Sequence, residues 1–357
     1  QHGYHMLEKA GNFQNFRIAA GREQGHFQGR EFMDSDVYKW LEAAAYELHI
    51  NPNDELQAQV DKAIELIAAA QQSNGYLNTY YQLVRPTEMW TDLDFGHELY
   101  CAGHLFQAAV AHYRATNDTR LLEIATRLAD YLCSTFGRDK RPGAPGHPEI
   151  EMALVELYRV TQNRDYLDLA AFFIDQRGQG KMRGLGWLGA EYRQDRIPVR
   201  ESSTVEGHAV RAMYLAAGVP DLYLETGEPA LLEALRRQWY DMVTRKMYIT
   251  GGLGSRYEGE AFGNAYELPP DQCYCETCAA IGSIMWNWRM LQATGEGRFG
   301  DIIERTLYNG FLSGLALSGK AFFYINPLLS RDNYQRQEWY EVACCPPNIM
   351  RLLASLG

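Results

Sequence analysis

No apolar run in the chain approaches the length of about 18 residues that a membrane-spanning helix requires. The opening stretch QHGYHMLEKAGNFQNF lacks the basic, apolar and small-residue regions of a secretory leader, although a start at Gln1 leaves a removed leader open. Lys/Arg-rich runs are missing as well, and a formal charge of −11 offers neither nucleic acid nor an anionic membrane a basic face. Cysteine is scarce: there are seven, an odd number, and five of them (Cys273, Cys275, Cys278, Cys344, Cys345) fall late in the chain. That is not the evenly spread framework of a disulfide scaffold, so a reducing cytoplasm is the expected location. These absences exclude a membrane protein and a nucleic-acid binder, and they favour a small neutral partner.

What is present suffices for one large domain or two ordinary ones, with 357 residues of which 46% are hydrophobic. Apolar residues recur at three and four spacing, as in VYKWLEAAAYELHI, LQAQVDKAIELIAAAQ and LLEIATRLADYLC, so the chain reads as mostly helical. Cys101 and Cys133 lie inside such patterns and read as buried small hydrophobes. The helices come in pairs with a fixed punctuation: Thr116, Thr161, Thr226 and Thr294 each close one helix shortly before another begins. Uneven spacing between these marks suggests helix pairs around a ring rather than a strict solenoid. The pattern predicts about eleven helices in an all-α (α/α)6 barrel, a single domain over 1–357. Near the C-terminus AFFYIN and EWYEV read as two short strands of a β-hairpin that delivers Cys344 and Cys345, with Pro346 and Pro347 opening a last helix.

The unusual residues sit in the long linkers. CYCETC at 273–278, taken with the adjacent Cys344 and Cys345, supplies enough thiols for a tetrahedral zinc site. A disulfide between neighbours is disfavoured, because their Cα atoms lie about 3.8 Å apart, below the usual range of about 4.4–6.8 Å. Two ligand sets are open: Cys275, Cys278, Cys344 and Cys345, which would be closed and structural, or Glu276, Cys278, Cys344 and Cys345, which would suit a cavity. Glu260, with Glu258 as its competitor, lies sixteen residues before Glu276 in a glycine-rich linker. A Glu beside an activated thiolate supplies acid/base and nucleophile, as in a retaining glycosidase with Cys replacing the second carboxylate.

Three histidines, His97, His147 and His208, each follow a glycine and stand at or before a predicted helix start, where a sugar's hydroxyls would need donors and acceptors. Trp187, Tyr257, Tyr266 and Tyr324 lie near the same ends and have faces on which a sugar can stack.

The segments FMDSDVYKWLEAAAY, GHPEIEMALVELY, GHAVRAMYL, MYITGGLGS, GEAF, YELP, ETCAAIG, LYNGFLSG and CCPPNIMRL resemble, in this order, the catalytic domain of glycoside hydrolase family 127, whose type activity is β-L-arabinofuranosidase. The likeness runs from about residue 13 to 356, and the paired ETC and CCPPN motifs are its most specific part. It implies an (α/α)6 barrel with Zn²⁺ held by Glu276, Cys278, Cys344 and Cys345, with Cys344 as nucleophile and Glu260 as general acid/base. It also implies substrate contacts at His97, His147, His208 and Tyr324, and a small carbohydrate substrate, an arabinofuranoside. Cys275 stands where such sequences commonly carry Gly, and Pro270 where LPN is common. The family's usual C-terminal β-sandwich domains, which aid dimerisation, are absent from 1–357, and a homo-oligomer stays open. Cleavage of another plant cell-wall sugar, a purely structural zinc, and a non-enzymatic zinc or redox helical-repeat module are the competing readings.

Overall fold

The computed structural model describes residues 1–330 and 334–356. As the periodicity predicts, helix dominates. The described residues hold α1 (His2–Lys9), α2 (Asn12–Ala19), α3 (Asp34–Ile50), α4 (Asp54–Ala70), α5 (Thr79–Val84), α6 (Glu98–Thr116), α7 (Arg120–Thr135), α8 (Ile150–Thr161), α9 (Arg164–Gln176), α10 (Ala209–Thr226), α11 (Pro229–Asp241), α12 (Thr277–Thr294), α13 (Gly297–Arg305) and α14 (Cys345–Ala354). The chain divides into two compact units, Gln1–Phe172 with Trp339–Gly357, and Phe173–Glu338.

In the first unit α6 packs against α3, α7 and α8, and α3 also packs against α14. Both α3 and α6 are buried almost all round, while α4 and α7 bury one stripe each, with Leu121, Ile124, Ala125, Leu128 and Leu132 forming that of α7. The second unit repeats the scheme: α10 and α12 are buried on nearly every side and pack together, with α11 against α10 and α13 against α12. No described helix is long and apolar enough to cross a membrane.

The threonine punctuation has a common physical cause. Helices α6, α8, α10 and α12 end at Thr116, Thr161, Thr226 and Thr294. Each hydroxyl donates to the carbonyl four residues back, on His112, Leu157, Leu222 and Met290, at 2.7–2.8 Å. Each hydroxyl oxygen also accepts the N–H two residues on, from Asp118, Asn163, Glu228 and Glu296. The residue between is left-handed in every case: Asn117, Gln162, Gly227 and Gly295. One side chain therefore closes the helix and starts the turn to the next.

Helix α14 begins at Cys345 with Pro346 and Pro347 in its first turn, where their missing N–H groups cost nothing. It is anchored by the fully buried Arg351, whose Nη1 lies 3.1 Å from Glu42 Oε2 on α3 and donates to Gln107 Oε1 on α6, while Nε donates to Asn348 Oδ1 at 2.6 Å. Arg351→Met is expected to lower stability by about 3–5 kcal/mol, because Glu42 would keep a buried charge without its partner. Adding Glu42→Gln should recover part of that loss in the unfolding midpoint; no recovery would mean that packing, not charge, is what Arg351 supplies.

The expected hairpin is reduced to one pairing. Phe322 and Gln337 exchange both backbone hydrogen bonds, at 2.8 and 2.9 Å, and the described residues around them form isolated bridges rather than strands. The backbone of 323–326 is committed elsewhere: Phe323 N–H donates to Gly314 O, Tyr324 O accepts from Thr277 N–H, and Asn326 N–H donates to Tyr274 O and Cys275 O. AFFYIN thus braces the start of α12 instead of EWYEV. Residues 331–333 of the linker lie outside the described residues.

Candidate active site

The glycine before each of the three histidines permits a close backbone approach. A Cβ on Gly96 would stand 2.1 Å from the Tyr81 hydroxyl, one on Gly146 would stand 1.9 Å from Asp94 O, and one on Gly207 would stand 1.9 Å from Glu191 O. Each Gly-His pair is therefore pressed against another segment of its own unit, which fixes where the imidazole begins. All three do stand at helix starts: His97 and His208 are the N-caps of α6 and α10, and His147 lies three residues ahead of α8.

In the first unit the rings of His97 and His147 lie 6.0 Å apart, with Tyr100 packed against both at 5.7 and 4.4 Å. His147 Nδ1 is 2.8 Å from Pro148 O, and His97 Nδ1 is 3.5 Å from Glu31 Oε1. Burial pushes the Glu31 carboxyl up, but the hydrogen bond from His97, a backbone hydrogen bond and the charges nearby together prevail and hold it below the usual carboxylate range. The same unit carries Cys344 and Cys345, whose sulfurs are 3.9 Å apart. The two thiols are not equivalent: Cys345 is fully buried in the first turn of α14, whereas Cys344, its N-cap, is half-buried.

In the second unit His208, Glu260 and Glu276 come together, each offering an atom within 4.8 Å of the others. His208 Nδ1 accepts from Val210 N–H at 3.2 Å, which leaves its ring proton on Nε2, 2.9 Å from Glu260 Oε2. The Tyr274 hydroxyl donates to the other oxygen, Oε1, at 2.9 Å. Burial pushes the Glu260 carboxyl up, but the hydrogen bonds from His208 and Tyr274 and the nearby Arg211 guanidinium prevail and hold it down to about 2. Glu260 sits at φ 52°, in the left-handed region, on a short turn over Glu258–Glu260. Such backbone strain in a non-glycine residue is a mark of functional turns. Its competitor Glu258 is exposed on the same turn.

Glu276 caps α12 and pairs in a single bridge with Ile325, and Cys278 is the second residue of that helix, fully buried. Thr277 donates its N–H to Tyr324 O at 2.9 Å, so Tyr324 is held beside the helix start, and its ring lies 6.2 Å from that of Tyr274. Cys275 turns away from this group, into a buried apolar cluster with Cys273 and Tyr248. Tyr274 was not among the residues picked out from the sequence, because in CYCETC it reads as a spacer between thiols. The only signal for it is its alternation with them, which sends its side chain to the opposite face.

The family model described as Beta-L-arabinofuranosidase, GH127 catalytic domain, matches residues 3–357. The chain belongs to this family. It is 41% identical over 376 aligned residues to the non-reducing end beta-L-arabinofuranosidase of Bifidobacterium longum, an alignment that takes in 96% of this chain and 57% of that protein. Among solved structures, a GH127 β-L-arabinofuranosidase from Geobacillus stearothermophilus T6 superposes with a TM-score of 0.94 at 45% identity, over 97% of this chain and 59% of that one. The GH127 chain thus spans somewhat under two thirds of the length of these relatives. A cellobiose 2-epimerase from Bacillus thermoamylovorans, at 12% identity and a TM-score of 0.57 over 92% of this chain and 87% of that one, shares the fold alone. The all-α (α/α)6 class expected from the helix pairs accords with these likenesses.

Proposed function

We propose that the chain is a retaining exo-glycosidase that hydrolyses terminal β-L-arabinofuranosides, with Cys344 as nucleophile and Glu260 as general acid/base. The observation that carries this reading is Glu260 itself, a strained, half-buried carboxylate gripped by His208 and Tyr274. The 41% identity to a non-reducing end beta-L-arabinofuranosidase supports the choice of sugar.

In the first step the Glu260 carboxyl gives its proton to the leaving oxygen while the Cys344 sulfur forms a bond to the anomeric carbon, and the glycosidic C–O bond breaks. In the second, Glu260 takes a proton from water, the water oxygen bonds to the anomeric carbon, and the C–S bond breaks. Two inversions give net retention. His97, His147, His208 and Tyr324 orient the sugar hydroxyls.

We further propose that Glu276, Cys278, Cys344 and Cys345 hold one zinc ion. Three thiols and a carboxylate are donors that zinc accepts. The 3.9 Å between the two adjacent sulfurs suits a shared tetrahedral ion, since bonds of about 2.3 Å place two thiolates about 3.8 Å apart. The turning of Cys275 toward Cys273 favours Glu276 over the all-cysteine set. When bound, the zinc keeps the thiols ionised at neutral pH.

The test is hydrolysis of an aryl β-L-arabinofuranoside followed by NMR. The β-anomer of arabinose should appear first, turnover should vanish on treatment with a strong chelator, and zinc should restore it. Initial release of the α-anomer, or full turnover with the metal removed, would overturn the mechanism.

A further inference from the structure

This inference rests on Glu260 being the acid that protonates the leaving oxygen. If it is, the remainder of the substrate departs on the Glu260 side, and whatever recognises it must border the turn that carries this carboxylate. Two large aromatic side chains do so, and the catalytic scheme uses neither.

Tyr257 lies three residues before Glu260, and its carbonyl accepts the Glu260 N–H at 3.2 Å. Its ring stands edge-on to Tyr274, with centroids 5.0 Å apart and planes at 87°, and Tyr274 is the residue that hydrogen-bonds Glu260. Tyr257 nonetheless keeps 64% of its surface in water. Arg256, the residue before it, lies 5.4 Å from the centre of the Trp187 ring. Arg256 is fixed there by two hydrogen bonds to Glu267, at 2.6 and 2.7 Å. Trp187 is 57% exposed, and its neighbour Leu188 abuts the same turn, since a Cβ on Gly259 would meet Leu188 Cδ1 at 2.3 Å.

Single exposed aromatics are ordinary. Here two are held by fixed partners beside one turn, with Glu260 at its end. Their rings offer faces for the C–H side of a sugar, and the paired Arg256 and Glu267 offer hydroxyl-binding groups beside them. The exposed Glu258 on that turn would repel an acidic unit. The geometry points to an aglycone subsite formed by Tyr257 and Trp187, which takes the neutral sugar from which the arabinofuranosyl group is cut.

The experiment compares kcat/KM on a β-L-arabinofuranosyl disaccharide with kcat/KM on β-L-arabinofuranosyl fluoride, whose leaving group has no ring to stack. In the Tyr257→Ala/Trp187→Ala variant the disaccharide-to-fluoride ratio should fall by about tenfold or more. A ratio unchanged from the wild type would overturn the subsite, including the case in which both substrates slow equally because the Glu260 turn has moved. If the wild type hydrolyses neither substrate, the proposed activity has failed on its own, and calorimetric titration of the disaccharide decides the subsite. Tenfold weaker binding by the double variant supports it, and equal binding overturns it.

Discussion

Glu260→Gln is expected to cut hydrolysis of an aryl β-L-arabinofuranoside by about 10²–10⁴-fold, the range that a positioned general acid/base contributes. The loss should depend on the leaving group. A substrate whose leaving group departs as a stable anion needs no proton in the first step, so the variant should still form the covalent intermediate from it and then stall. Azide, a nucleophile that needs no base, should release the stalled sugar as the β-azide. The starting state fits this division of labour. With its carboxyl held down to about 2, Glu260 is ionised at neutral pH, the form that would activate water in the second step of the proposed mechanism. For the first step it must gain a proton, and expulsion of water by the bound sugar acts in that direction, since desolvation favours the neutral carboxyl. Turnover within a few-fold of the wild type, or azide rescue giving the α-product, would remove Glu260 from this role.

The features legible in the sequence are those whose physics is local. Thr116, Thr161, Thr226 and Thr294 mark helix ends because the hydroxyl, its acceptor and its donor all lie within four residues on either side. The Gly-His pairs are visible as a pattern, but their cause is not: Gly207 is glycine because Glu191 O passes beside it, and no local window shows that. Glu260 could be singled out for its glycine-rich surroundings, while Tyr274, which holds one of its oxygens, is hidden between two thiols that draw the eye. The short helices α1, α2 and α5, of eight, eight and six residues, give too few turns for a period to emerge and were absent from the helix-pair scheme. AFFYIN has the composition of a strand, yet Phe322 alone among its described residues pairs with the segment that follows, at Gln337, while Phe323, Tyr324 and Asn326 bond Gly314 and residues 274–277. Alternation gives a strand's character but not its neighbour.

Cys344→Ser is expected to reduce turnover by about a thousandfold or more while the chain still folds, and Cys344, not Cys345, is expected to carry the sugar. Sequence alone treats the two thiols as equals. Burial separates them. Cys345 is fully buried in the first turn of α14, so its sulfur offers an anomeric carbon no open approach. Cys344 is half-buried at the cap, where the positive end of the helix favours a thiolate. Pro346 and Pro347 add rigidity, so the helix start holds the sulfur in one place rather than letting it wander. If Cys344 and Cys345 both hold a zinc ion, the more exposed Cys344 would be the one whose sulfur a sugar could approach. A slow-releasing 2-fluoro arabinofuranosyl substrate should leave one sugar on the chain, and peptide fragmentation between residues 344 and 345 should place it on the N-terminal side. The label should disappear in Cys344→Ser. In Cys345→Ser it should persist at a level that follows the residual metal content. A label on Cys345, or on a carboxylate such as Glu276, would overturn the assignment and return Cys344 to a purely structural place beside the metal.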